Sequence, residues 1–272
     1  MALTRIGAHP PPAGADAVQL TQDGLAALLD ALAPAAMPAI CAAWCEHALF
    51  SRPGAGPVCL IRFDAQHFDA GMFAATGIER PSQIARSVHA RQAEFFFGRL
   101  AARAALALQG VPGAPIAIGS SRQPQWPDGT TGSISHIDGL AAAVVSSRSD
   151  CQGVGLDIES CANVGRDLQA MRLLVVDATE QAYLDGLRGG DQEAALLALC
   201  FSAKEALFKA AFAAVGRYFD FTAARVVRID HRRGIIELII QQTLCSDFRA
   251  DQYCRIDYRW LDRDVLMTGF AW

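Results

Sequence analysis

The spacing of apolar positions changes several times along the chain, and each change predicts an element. From Pro81-Ser82 to Leu108 the apolar residues recur with a helical period. Phe96, Leu100 and Ala104 form one stripe, Arg91, Arg99 and Arg103 gather on a neighbouring face, and Gly110-Val111-Pro112 stops the run. Pro127-Asp128-Gly129 then signals a turn, with φ fixed at Pro and free at Gly. Residues 133–136, 140–146 and 153–159 read as short strands. Residues 193–214 predict a long Ala/Leu-rich helix interrupted near Phe201-Ser202, and residues 225–229, 234–241 and 254–260 predict further strands. Helices mixed with hairpin-like strands indicate an α+β fold. Residues 1–20, rich in Pro, Ala and Gly without a period, predict a loosely ordered lead-in.

Composition narrows the class. Of 272 residues, 52% are hydrophobic and 19% charged, enough apolar surface for a folded core and a length that suits two small units or one large one. A net charge of -4 argues against nucleic-acid or anionic-membrane partners recruited by overall charge. The eight cysteines form no CxxC pair and follow no secretory segment, so they read as reduced thiols. Cys41 and Cys45 lie on an Ala-rich stretch that reads as helical, where a thiol serves as a small buried hydrophobe. Asp30, Pro34, Pro38 and Glu46 interrupt the most apolar window, residues 25–50, leaving no run of the ~20 residues a membrane helix needs. A cytoplasmic, monomeric protein with no membrane or nucleic-acid partner is expected.

The candidate chemistry lies in four segments. In Gly155-Leu156-Asp157-Ile158-Glu159 the two carboxylates leave one face of a strand while Leu156 and Ile158 leave the other. Such a face is commonly just solvated, but paired carboxylates are also what a small, hard dication such as Mg²⁺ requires. Glu205 and Lys209 sit one helical turn apart with Lys204 beside them, which by itself describes an ordinary surface ion pair. Taken together, three carboxylates and two ammonium groups are the inventory for holding a metal-bound diphosphate. His136 ends a Ser133-Ile134-Ser135 stretch just before the turn at Asp138-Gly139, where a structural hydrogen-bonding role is the ordinary one. Arg91 and Arg99 would likewise ordinarily be solvated.

These segments together resemble the 4′-phosphopantetheinyl transferases of the broad-specificity type, related to enterobactin synthetase component D and the surfactin-synthetase activator. Gly153-Val154-Gly155-Leu156-Asp157-Ile158-Glu159 is similar to the family's first signature, and Phe201-Ser202-Ala203-Lys204-Glu205-Ala206-Leu207-Phe208-Lys209 to its second. Ser133-Ile134-Ser135-His136 resembles the upstream Ser-His block. The Arg91 to Arg103 helix and the Gln125-Trp126-Pro127 loop resemble the enterobactin branch.

The resemblance implies two similar α+β halves related by a pseudo-twofold, residues 21–150 and 151–272, with the active site in the cleft between them. It implies Mg²⁺ on Asp157, Glu159 and Glu205. Catalysis would involve Glu205, Lys209 and Lys204. Coenzyme A would meet Lys204, Lys209, Ser135, His136, Arg91, Arg99 and the loop residue Arg122, where some relatives carry a Lys at the position of Ile118. The implied partner is an acyl or peptidyl carrier protein, whose acidic surface would dock on Arg217, Arg225 and Arg228 with Tyr218, Phe219 and Phe221. A non-catalytic binder of coenzyme A or carrier protein, and a Mg²⁺-dependent phosphohydrolase, are the alternatives. A pure binder would not require the full set of carboxylates and lysines.

Overall fold

The computed structural model describes residues 22–187 and 192–272, so the expected lead-in at 1–20 lies outside the described residues. Helix α1 (Gln22–Leu32) buries Leu25 and Leu29 and packs on strand β1 (Ile40–Glu46). Cys41 and Cys45 therefore stand on a strand, not on the helix that the alanines suggest. Local propensity is overridden by pairing, because β1 runs antiparallel to β2 (Val58–Phe63) from Ile40↔Phe63 to Glu46↔Val58.

Short helices α2 (Gly71–Thr76) and α3 (Ser82–Ala85) precede α4 (His89–Leu108). The single helix expected over 81–108 is thus broken at Val88, which is extended (φ -61°, ψ 155°). The Gln92 amide donates to Ser87 O and Ser87 Oγ donates to Gln83 O, local bonds that take the place of a continuous helical ladder. Beyond the break, α4 lays Phe97, Leu100, Ala101 and Ala104 on the first sheet, where Ile61, Ala141 and Ala143 receive them. After the two-residue strands β3 (Ala117–Ile118) and β4 (Pro124–Gln125), the hairpin of β5 (Thr130–Ile137) and β6 (Leu140–Ser147) completes that sheet in the order β1-β2-β6-β5.

Strand β7 (Val154–Ser160) begins the second unit, followed by α5 (Cys161–Gly165), α6 (Leu168–Val175), α7 (Ala178–Leu187) and α8 (Glu193–Val215). Strands β8 (Ala224–Asp230), β9 (Ile235–Ile240), β10 (Tyr253–Trp260) and β11 (Val265–Ala271) complete an antiparallel sheet in the order β7-β11-β10-β9-β8. The interruption expected near Phe201-Ser202 is absent. Ser202 is fully buried, and its hydroxyl meets Thr268 Oγ1 at 2.8 Å while Thr268 Oγ1 donates to Ser202 O at 2.8 Å, so a polar residue is satisfied without breaking α8.

Two features join the halves and set the distance between strand and helix. Edge strands β5 and β7 are bridged by side chains: Leu156 N donates to Ser133 Oγ (2.9 Å) and Ile158 N donates to Ser135 Oγ (3.1 Å). Leu60, Leu140 and Val144 of the first sheet bury against Leu156, Ile158 and Met267 of the second. On the opposite face of β7, a Cβ at Gly155 would lie 1.9 Å from Ala206 O, and one at Gly153 would lie 2.3 Å from Ala210 O. Only glycine lets the α8 backbone come this near. Among the described residues no helix is long and apolar enough to cross a membrane.

Helix α7 is anchored by Glu180, only 1% exposed. Its Oε1 accepts from Val226 N and from Lys204 Nζ, both at 2.7 Å, and Lys204 Nζ also donates to Val175 O at 2.7 Å. Breaking one side of such a buried pair leaves an uncompensated charge, so Lys204→Met should cost about 3–5 kcal/mol in urea unfolding. The double variant Glu180→Gln/Lys204→Met should recover much of the loss. A Lys204→Met loss no larger than that of an exposed lysine would sink this account of the pair.

Candidate active site

The alternation of β7 sends Gly155, Asp157 and Glu159 toward α8, and Gly155 together with Gly153 just before the strand lets the helix close on it. On α8, Glu205 and Lys209 are separated by about 40° around the axis, whereas Lys204 lies about 140° from Lys209. Strand and helix register therefore bring Glu205 and Lys209 beside the acidic strand and turn Lys204 away.

At the centre, Asp157 is 5% exposed. Its Oδ1 accepts from Lys209 Nζ at 2.6 Å and from Ser135 Oγ at 2.9 Å. Lys209 Nζ also donates to Leu156 O (3.2 Å) and Ser135 Oγ (3.3 Å). Asp157 Oδ2 is buried without a hydrogen-bond partner. Glu159 Oε1 accepts from Ser160 N at 2.7 Å. Burial raises the pKa of Glu159, its bond from Ser160 opposes the rise and Asp157 adds to it. Burial also raises Glu205, with Lys209 opposing and Asp157 adding.

The donor set suits a small, hard dication. An unpartnered buried carboxylate oxygen and two neighbouring carboxylates whose charged forms are disfavoured are the features a bound cation would relieve. As the side chains stand, no group of three His, Cys, Asp or Glu among the described residues is drawn into a ready coordination sphere. The position beside Asp157 Oδ1 is held by the Lys209 ammonium.

The other expected residues divide. Ser135 joins the centre, but its hydroxyl gives its one proton to Asp157 and accepts from Ile158 N and Lys209 Nζ, which uses its capacity inside the protein. Lys204 does not join it; its ammonium is engaged by Glu180 and Val175 O. Arg91 Nη1 reaches His136 Nε2 at 2.7 Å and Glu94 Oε2 at 3.0 Å, and His136 Nδ1 faces Glu94 Oε2 at 3.5 Å.

Arg99 lines a separate cavity of about 110 Å³ with Glu79, Phe95, Arg103 and Ile118. It is 7% exposed, its guanidinium carbon lies 5.1 Å from the Phe95 ring centroid, and its Nη1 is buried without a partner. Burial pushes Arg99 down to about 10, with Glu79 opposing. Arg122 is exposed, in a left-handed conformation (φ 65°) at the tip of the 119–123 turn.

A second cavity, about 210 Å³, opens beside Glu205 and is lined by Lys204, Leu207, Phe208, Tyr218, Phe219, Asp220, Phe221 and Ala224. Tyr218 is 66% exposed, stacks on Phe208 and donates to Ser121 O at 3.2 Å, linking the 119–123 turn to the second half. Of the arginines expected to form a docking surface, Arg225 is paired with Asp177 (2.7 Å) and Arg228 with Asp230 (3.4 Å) and Glu237 (3.8 Å), while Arg217 is exposed. Glu180, Glu94 and Thr268 were not legible as participants. Glu94 carries a local signal in its i, i+3 spacing from Arg91, and Glu180 one in its i, i+3 spacing from Asp177, with which it exchanges capping hydrogen bonds.

Comparison with known proteins places both halves. The model of the 4′-phosphopantetheinyl transferase N-terminal domain matches residues 79–146, and that of the 4′-phosphopantetheinyl transferase superfamily matches residues 153–262. The 4′-phosphopantetheinyl transferase Svp of Streptomyces mobaraensis is 35% identical over 192 residues, covering 70% of this chain and 75% of Svp. The 4′-phosphopantetheinyl transferase PptT of Mycobacterium tuberculosis is 36% identical over 197 residues, covering 71% of this chain and 84% of PptT. Enterobactin synthase component D of Escherichia coli K12 is 37% identical over 129 residues, 47% of this chain and 59% of that protein. Matched in both halves and spanning most of two such relatives, the chain belongs to the 4′-phosphopantetheinyl transferase superfamily.

Proposed function

We propose that this protein transfers the 4′-phosphopantetheine group of coenzyme A to a serine of an acyl or peptidyl carrier protein, releasing adenosine 3′,5′-bisphosphate in a Mg²⁺-dependent reaction. The observation that carries this reading is the meeting of Asp157 and Glu159 on β7 with Glu205 and Lys209 on α8, made possible by two glycines, in a chain of this family. The carrier serine oxygen bonds to the β-phosphorus, the bridging P–O bond to the α-phosphate breaks, and the serine proton passes to a base.

Asp157, Glu159 and Glu205 would hold Mg²⁺, which when bound supplies positive charge to the diphosphate. Lys209 offers a second positive charge, released from Asp157 as the phosphate takes its place. Glu205, which lies within the electrostatic reach of Asp157 and Lys209, is the carboxylate assigned to accept the serine proton. The apolar cavity beside it suits the pantetheine arm. The unpartnered Arg99 Nη1 in its own cavity has the signature of a donor awaiting an anion and is assigned to the nucleotide end. Arg91 and His136 are assigned to the 3′-phosphate, and Arg122 to the cleft rim. Ser135 takes a supporting role instead of a direct contact with coenzyme, and Lys204 combines a supporting role with a place in the wall of the pantetheine cavity. Ser135 holds Asp157 and Lys209, and Lys204 holds α7.

Three outcomes are expected. Asp157→Asn and Glu205→Ala should abolish the mass increment of one phosphopantetheine on carrier protein incubated with coenzyme A and Mg²⁺, without loss of fold by circular dichroism. Turnover at the wild-type rate by either would refute the centre. In steady-state kinetics, Lys209→Ala should lower kcat by about a hundredfold or more, since it acts where charge develops. Arg99→Ala should act mainly on the KM for coenzyme A.

The third outcome concerns pH. Burial, followed by the charges of Arg91 and Lys209, pushes His136 from 6.5 down to about 4. In the interval between those values the unfolded chain binds the proton more readily than the folded one. The stability contributed by the neutral ring is therefore present above pH 6.5 and lost as pH falls toward 4. His136→Gln, which cannot charge, should show a smaller fall in Tm than wild type across that interval. Parallel Tm profiles would contradict the assignment.

A further inference from the structure

Glu94 has no part in the transfer derived above, yet it stands between two of the groups assigned to the coenzyme. Its Oε2 accepts from Arg91 Nη1 at 3.0 Å and faces His136 Nδ1 at 3.5 Å, and its side chain is 21% exposed. A guanidinium only donates, so the 2.7 Å contact from Arg91 Nη1 makes His136 Nε2 an acceptor and leaves the ring proton on Nδ1, on the side of Glu94. The carboxylate thus directs a half-exposed arginine on α4, and that arginine in turn sets the tautomer of a histidine on β5.

Charge alone would argue against this placement. An acidic group beside a phosphate site repels the ligand, and Lys209 already contributes positive charge around His136. What the carboxylate provides is order, because a long arginine side chain held in place loses less freedom when it meets its ligand. We infer that Glu94 is a positioning residue that, together with His136, holds the Arg91 guanidinium in place for a phosphate monoester. The inference rests on the reading above, in which that monoester is the 3′-phosphate of coenzyme A.

The test compares kcat/KM for coenzyme A and for 3′-dephospho-coenzyme A in wild type, Glu94→Ala, Glu94→Gln and His136→Ala. Glu94→Ala should reduce the preference for coenzyme A by roughly tenfold through its KM, the scale of one charge-assisted hydrogen bond. Glu94→Gln, whose amide oxygen still accepts from Arg91, should keep most of that preference. A general disturbance of α4 would instead slow both coenzymes alike and leave their ratio unchanged, which would overturn the inference. An increased preference in Glu94→Ala would also overturn it, by showing that the carboxylate acts through repulsion. His136→Ala separates the two levels. If it collapses the preference while Glu94→Ala does not, the positioning role alone fails; if it leaves the preference intact, the 3′-phosphate assignment fails and the inference with it.

Discussion

The Asp157 carboxylate, held on one oxygen by Lys209 and Ser135, is the contact on which the arrangement of the site depends. It is a nearly buried charge, and a carboxylate removed from water is tolerated only where charge and hydrogen bonds replace the lost hydration. The replacements come from two elements, one in each half of the chain: Ser135 on β5 and Lys209 on α8. Fold and site are consequently one problem. Moving one sheet against the other would strip the Ser135 hydroxyl from the Asp157 carboxylate.

The same contact explains why the helix must lie so close to the strand. With β7 and α8 separated by an ordinary side-chain layer, Glu205 and Lys209 would stand back from the carboxylates. Gly153 and Gly155 remove that layer on one side of the strand, while Leu156 and Ile158 on the other anchor it to the first sheet. A strand of alternating character therefore serves two interfaces, one polar and one apolar. Thr268, the register partner of Asp157 on β11, binds the turn of α8 that begins the Glu205 segment and fixes the helix along its axis.

Much of this was legible from spacing. Alternation in 153–159 put Asp157 and Glu159 on one strand face, and a helical period in 193–214 put Glu205 and Lys209 one turn apart; only the resemblance to the family brought the two segments into one site, while α+β character followed from the mixture of periods. Lys204 was grouped with its neighbours by chemistry, although one residue's rotation about a helix already turns it toward a different surface. The β1 strand was misread because its alanines favour a helix locally while its partner β2 is distant in information, although near in space. The role of Ser133 and Ser135 had no signature. A hydroxyl in a strand looks the same whether it faces water or substitutes for a missing backbone partner on another sheet.

The serine bridges and the apolar layer between the sheets bear on how such proteins can be recombined. Residues 79–146 and 153–262 match separate family models, which invites exchanging halves between relatives as modules. Yet a first half taken alone would present Leu60, Leu140 and Val144 to solvent, and a second half Leu156, Ile158 and Met267. Each would also leave backbone groups of an edge strand unmet, the condition that promotes association between copies. A productive chimera must inherit the seam as a matched set, so the unit of exchange is the pair of facing surfaces and not the stretch of sequence.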